Sequence, residues 1–562
     1  MKKKLLQLAK LLSFALLIYL FTLFMFAIDT VRVITKTADG IQKLKNESFN
    51  QIEVTELSRD LERYSRLLDS PLLIGPYLLA GDTESIPRIG RAIGAGGRAL
   101  GRLAPLLEGK TNRQKATDLE LLMWNAELIQ EAVPDLAFFF DEFANLNFTG
   151  FLKFLNPKIE PVQAQSLRYQ EVFENISPLI PILPQLLGNE SKRRYFIAMQ
   201  NSAQARGTGG LVGAFAILSV EKATLKLEFI APNSVLKNPG EIPINVPKEY
   251  RDIYKLYAST WNGSNFSPHF PYAAQIWAES WRRMSGQRVD GVIALDTFFL
   301  KAVLKASGQI TYRGFVVNHE NVIEELLSNA YVRFESGSAM RKKYLAEIAG
   351  IAAQRLISGQ YATGTLLREM VDPILENRIH LYFMNPKEQK AISLSRLSGE
   401  LDGGANNEYR LVVQNIAGNK LDYYISRELT IMSESCLPTR TTRVDFTITN
   451  TANPEVRLPP YVNSLRAQGF PMGLKNSQYV GAFLYGPSFS KITGVIDADT
   501  GETYGSVYKE RNRPFYSVQI QVPAGASKRF TVFFEGGTGK LNQVLQPLVL
   551  PQETLIVDNC NI

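Results

Sequence analysis

Residues Tyr195 to Ser219 read YFIAMQNSAQARGTGGLVGAFAILS, a short apolar strand, a polar turn and a second apolar strand. The turn carries Gln200, Asn201, Ser202, Gln204, Arg206, Thr208, Gly209 and Gly210. Buried backbone polar groups need partners, so a turn this polar is expected at the surface, at the end of a sheet. There Arg206 would present its guanidinium fork to a phosphate or carboxylate, while the glycines admit close approach of an anion or another backbone. A tight turn whose Arg206 pairs with a neighbouring carboxylate is the alternative.

Several classes are excluded by the rest of the chain. At about 150 residues per domain, 562 residues predict three or four domains. A chain 45% hydrophobic and 21% charged is folded, globular material. The net charge of +8 is spread without a block of five like charges, so no nucleic-acid partner is indicated. Three histidines and two cysteines are too few for a thiolate or imidazole cluster, and any metal would be a hard cation held by oxygen.

The N-terminus bears on compartment. Leu11 to Ile28 is an uncharged run preceded by Lys2, Lys3, Lys4 and Lys10. Its length spans a bilayer, and the lysines predict a single-pass anchor with its N-terminus cytoplasmic and the bulk of the chain extracytoplasmic. A cleaved signal peptide is the rival, with Met25-Phe26-Ala27 a poor cleavage site. Outside the cell, Cys436 and Cys560 are free to form a disulfide or to stand as separate buried thiols.

From residue 31 to 190 the period is helical. In RIGRAIGAGGRALGR, residues 88 to 102, Gly90, Gly94, Gly97 and Gly101 share one helical stripe and Arg88, Arg91, Arg98 and Arg102 another. The glycines predict close approach of a neighbouring helix; the arginines predict a solvated face or a contact with anionic headgroups or wall polymer. Residues 191 to 360 change period and read as an α/β domain. After SPHFP an amphipathic helix begins past Pro271, offering a second anion site beside His269. DGVIALD, residues 290 to 296, is a buried-type strand whose two carboxylates lie roughly 20 Å apart, too far to share an ion. Asp296, at its C-terminal end, is either a ligand residue or the N-cap of the next helix. A later helix, Met340 to Ile357, opens with Arg341, Lys342 and Lys343. Residues 361 to 405 read as a connecting segment, and 406 to 562 as a β-rich domain with a hairpin turning at Gly418-Asn419 and a further turn at PAGAS. The predicted fold is therefore α+β and multidomain: a transmembrane helix in 1 to 30, a helical stalk, a central α/β domain with a mixed sheet and a C-terminal all-β sandwich-like domain.

Four stretches resemble the bacterial domain of unknown function 4012 family: QNSAQARGTGG at 200 to 210, SPHFP, DGVIALD and QNIAGNKLDYY at 414 to 424. The chain keeps Asn201, Arg206, Gly209 and Gly210 of that pattern, and has Gln204 and His269 where the family tends to carry acids. The resemblance implies a membrane-anchored cell-envelope protein, binding or scaffolding at an anionic envelope polymer. More distantly, the middle domain is similar to the LytR-CpsA-Psr phosphotransferases, which join lipid-pyrophosphate-linked glycopolymers to the wall with arginines on the pyrophosphate and aspartates on magnesium. That similarity implies a Mg²⁺-dependent transferase in which Arg206 and Arg341 clamp the pyrophosphate and Asp296 with Asn318 orients Mg²⁺ or an acceptor hydroxyl. Asn201, Gly209, Gly210 and Lys342 would complete the binding site for a lipid pyrophosphate or cell-wall glycopolymer.

Overall fold

The computed structural model describes residues 51–106, 117–237, 246–255, 258, 260–401, 407–463 and 475–560. The chain divides into two compact units, Met1–Pro184 and Gln185–Ile562. Among the described residues no helix is long and apolar enough to cross a membrane. The fold is corrected accordingly to α+β with mixed sheets and no spanning helix among the described residues, and the expected span Leu11 to Ile28 lies outside them.

The first unit is helical. Its long elements are α1 (Gln51–Leu68), α2 (Ser85–Leu103), α3 (Ala126–Ala144) and α4 (Asn156–Ile176). The glycine stripe of α2 meets α1: a Cβ at Gly94 would stand 2.4 Å from Ser65 Oγ, and one at Gly101 2.6 Å from Ser58 Oγ. The arginine stripe runs beside α3 and pairs with its carboxylates. Arg91 pairs with Glu142 at 3.2 Å, Arg98 with Asp135 at 2.8 Å, and Arg102 also reaches Asp135, all on α3. These guanidinium groups remain 40–47% exposed, so the pairs orient α3 more than they stabilise it.

The second unit is built on a five-stranded mixed sheet. Its strands are β1 (Arg193–Arg206), β2 (Gly209–Glu221), β3 (Thr224–Pro232), β4 (Gly291–Asp296) and β5 (His380–Phe383), in the order β3-β2-β1-β4-β5. Only β1 and β4 are parallel neighbours; the other pairings run antiparallel. β5 falls in the stretch expected to be a connector, which is thereby part of the sheet. Helix α5 (Phe270–Ser285) covers one face, where Phe196, Phe215, Val292 and Ala294 pack on Phe270, Trp277 and Trp281. Helices α6 (Thr297–Ser307) and α7 (Ser338–Ile357) belong to the other face.

A β-sandwich completes this unit. One sheet has the order β11-β12-β9-β6-β14 and the other β10-β13-β8-β7-β15. The first uses β6 (Glu408–Asn415), β9 (Gln478–Tyr485), β11 (Ser506–Glu510), β12 (Arg513–Val522) and β14 (Asn542–Gln543). The second uses β7 (Ile425–Ser435), β8 (Thr441–Asn450), β10 (Lys491–Asp497), β13 (Ser527–Glu535) and β15 (Gln552–Val557). The hairpin expected around Gly418-Asn419 is instead a crossover, since β6 and β7 lie in different sheets. Side chains hold that link: Asn415 Nδ2 donates to Asp422 at 2.7 Å, and Leu421–Tyr424 winds into a 3₁₀ turn. The turn at PAGAS likewise passes from one sheet to the other. Cys436 and Cys560 form a disulfide, which ties the last described residue to the end of β7.

Candidate functional site

The central sheet alternates in side-chain direction, yet both of its faces are apolar. Opposite the α5 side, β1 to β4 present Ile197, Met199, Ala214, Leu218, Leu227 and Ile293 to a cavity of about 510 Å³. Its other wall is α6, with Phe299, Leu300 and Val303, and α7. Along α7 the lining side chains are Leu345, Ala346, Ala349, Ala352, Ala353 and Leu356. Protein interiors are normally close-packed. Here four alanines face a sheet surface that itself carries Gly213, Ala214 and Ala216, and side chains so short leave the space between helix and sheet unfilled.

One end of the cavity is polar. The Arg341 guanidinium lies 4.1 Å from the ring centre of Tyr461 and 4.7 Å from that of Tyr331. Arg341 is only 2% exposed, and its side chain makes no hydrogen bond or ion pair with any described residue. Burial pushes the Tyr331 hydroxyl up to about 12, so it stays neutral while accepting from Asn201 Nδ2 at 3.1 Å. Lys420 donates to Gln204 Oε1 at 2.8 Å, and Lys342 stands exposed at the rim. Asn201 and Gln204 would face opposite sides of a regular strand. A bulge in β1 between Asn201 and Ala205 brings both to the cavity. A π-wound turn, Glu325–Asn329, does the same for the consecutive Leu326 and Leu327.

Asp296 is the one carboxylate lining the described cavity, and its oxygens are engaged. Oδ1 accepts from the amides of Phe298 at 2.9 Å and Phe299 at 3.3 Å, capping α6. Oδ2 accepts from Ser202 at 3.2 Å and from Arg378 at 2.7 Å. Among the described residues no group of three or more His, Cys, Asp or Glu side chains is placed to hold a metal ion. Both Asp296 oxygens are thus engaged, and the N-cap reading of Asp296 is the one the geometry bears out. With Asp296 paired to Arg378, Arg341 and Lys342 are cations at this end that make no ion pair with a described residue, which favours an anion.

Arg206 departs most from expectation. It is buried, donating to the carbonyls of Ala205 at 2.8 Å and Asn415 at 3.0 Å, with its guanidinium 4.3 Å from the Phe266 ring centre. Beside it, desolvation raises the pKa of buried Asp422, against hydrogen bonds and the Arg206 charge that lower it. The turn is covered rather than exposed: a Cβ at Gly207 would meet Phe266 O at 2.4 Å, and Gly209 lies against Pro547. Its polar groups find internal partners. Thr208 donates to Gln200 at 2.8 Å, and Asn265 donates to the Gly210 carbonyl at 2.9 Å. Gly210 is required by the backbone of Asn201, 2.2 Å from where its Cβ would stand. Asn318 caps the turn that follows it, accepting from Glu320 and Asn321 at 2.9 and 3.0 Å, away from the cavity. The helix start beside His269 is closed as well. Phe270 N donates to Gly399 O at 2.9 Å and Leu401 N to His269 Nδ1 at 3.0 Å, while burial and then the Arg511 and Arg410 charges hold the imidazole neutral.

The structure thus brings Asn201, Asp296, Arg341 and Lys342 to one cavity and leaves Arg206, Gly209, Gly210 and Asn318 outside its lining. Tyr331, Tyr461, Lys420, Gln204 and the alanine face of α7 were not anticipated. The available signal was the recurrence of Ala346, Ala349 and Ala353 at helical spacing opposite strands with no polar face.

Fold and site together define an α+β protein whose sheet has a helix-packed face and a second face left open as an apolar cavity with a cationic end. Residues 190–331 match the family described as Protein of unknown function (DUF4012). The matched segment supplies β1 to β4, α6 and Tyr331, whereas α7 lies beyond it. No curated protein and no solved structure matches the chain. The distant similarity to the LytR-CpsA-Psr phosphotransferases finds no support in these matches.

Proposed function

We propose that this protein binds an amphipathic lipid with an acidic head, the tail in the cavity beneath α7 and the head against Arg341. The observation that carries the reading is a nearly fully buried arginine whose side chain has no hydrogen-bonding partner among the described residues, at the end of an apolar cavity of ligand size. A buried cation left without an anion is costly, and a ligand head supplies the missing charge. Each methylene moved from water into the cavity contributes about 0.8 kcal/mol, so a tail of ten carbons offsets much of the entropy lost on binding. The Cys436–Cys560 disulfide supports an oxidising, extracytoplasmic setting. A lipid-linked envelope glycopolymer, its polymer leaving past exposed Lys342, is the finer form of this proposal. Binding is favoured over transfer because Asp296, the carboxylate assigned to orient a metal or acceptor, is committed to α6 and Arg378.

The test is native mass spectrometry of the full chain after exposure to an extract of bacterial anionic lipids. The expected result is one lipid per chain, lost in Arg341→Gln with the fold intact by circular dichroism. Absence of bound lipid, or retention in Arg341→Gln, contradicts the proposal.

A further inference from the structure

At the polar end of the cavity two side chains carry donors that lack an acceptor among the described residues. One is Arg341; the other is Tyr331, and the bulge in β1 decides which way its hydroxyl works. Ala203 N donates to Asn201 Oδ1 at 3.1 Å, which fixes the amide of Asn201 with Nδ2 turned to Tyr331. Nδ2 donates to the Tyr331 oxygen at 3.1 Å. The phenol therefore accepts from Asn201, and its own proton has no acceptor among the described residues although Tyr331 is only 4% exposed. Burial holds that proton on the oxygen, so it is there to be donated. The charged and titratable groups about Tyr331 are Arg341, Lys420 at 5.6 Å from its ring centre and Tyr461, whose ring stacks on it at 5.6 Å.

The side-chain acceptors beside these donors are in the opposite state. Asn201 Oδ1 serves Ala203, Gln204 Oε1 serves Lys420, and both Asp296 oxygens serve protein donors. Resting on the binding reading above, we infer that Tyr331 is the second donor to the ligand head, aimed by Asn201, and that the site takes an acidic head in its fully ionised form. A head that keeps an acid proton, or an alcohol or ammonium in its place, brings a donor to a place where those acceptors are already used. An ionised phosphate or carboxylate brings acceptors alone and satisfies Arg341 and Tyr331 together.

The test follows hexadecyl phosphate, kept below its aggregation limit, on the full chain by calorimetry and phosphorus magnetic resonance. Its second ionisation, at a pKa of about 6 in water, should fall by about one pH unit or more in the complex, which is a tenfold preference for the dianion. Tyr331→Phe keeps the ring against Tyr461 and Arg341 and removes only the hydroxyl. It should weaken binding about tenfold and move the ionisation of the bound phosphate back upward. Asn201→Asp, whose carboxylate would accept from both Ala203 and Tyr331 and so take the proton from the ligand, should weaken binding at least as much. An unshifted ionisation in the wild type overturns the ionised-head inference while lipid binding stands. Unchanged affinity in whichever variant is folded, or weaker binding in Tyr331→Phe without the upward movement, overturns the role of Tyr331. No binding of hexadecyl phosphate to the wild type overturns this inference and the lipid-binding reading together.

Discussion

Replacing Ala349 by leucine puts three further carbons at the midpoint of the α7 wall, eight residues from either end of the lining. Alanine and leucine have nearly the same helix propensity, so the exchange acts on the cavity and not on the helix. In the ligand-free protein the added side chain enters unfilled apolar space. It should leave stability unchanged or raise it by about 1 kcal/mol, well under the 1.5–3 kcal/mol of full burial because the cavity is partly open. In the complex the same three carbons displace about three methylenes of ligand, a loss of about 2.4 kcal/mol and hence about sixty-fold in affinity. The two effects have opposite signs, which separates them from general damage. Thermal unfolding with and without hexadecyl phosphate measures both. A ligand-free melting temperature that falls, as overpacking of a filled core by 1–3 kcal/mol would make it, refutes the reasoning, as does unchanged affinity.

Three other outcomes follow from buried contacts. Arg206→Ala should cost about 3 kcal/mol or more, through two lost charged hydrogen bonds and its packing on Phe266, yet leave lipid affinity of the folded fraction unchanged, read by urea unfolding and calorimetry. His380, held at about 3 by burial and then by the Arg410 charge, binds its proton in the unfolded chain near pH 6.5 but not in the folded one. Its contribution is therefore present above pH 6.5 and lost progressively as pH falls toward 3, and His380→Phe should flatten the stability profile in that window relative to wild type. Reducing the Cys436–Cys560 bond, which closes a loop of 124 residues, should lower unfolding free energy by about 2–4 kcal/mol, measured in urea with and without reductant.

Much of the architecture could be read from period alone. The helical first unit, the strand pair around Arg206, DGVIALD leading into a helix and the β-rich end all stand where alternation or three-and-four spacing put them. What escaped was long-range. Nothing local in LVVQNIAGNKLDYY distinguishes a hairpin from a crossover, because the deciding hydrogen bonds run to Ala205 and Gln478. Arg206 was misread for the same reason: a polar turn reads as exposed unless Asn265, Asn415 and Gln546 are known to cover it. Arg341 and Lys342 were legible as a basic helix start, but the apolar room beneath them was not, since alanine on a helix normally signals tight packing.

The most direct measurement is a crystal structure of the full chain with hexadecyl phosphate. The account predicts phosphate density against the Arg341 guanidinium beside Tyr461, with the chain running past Ala349 toward Ile357. Density for the head at Arg206, or ligand confined to the outer surface while the α7 cavity stays filled with water, would contradict it.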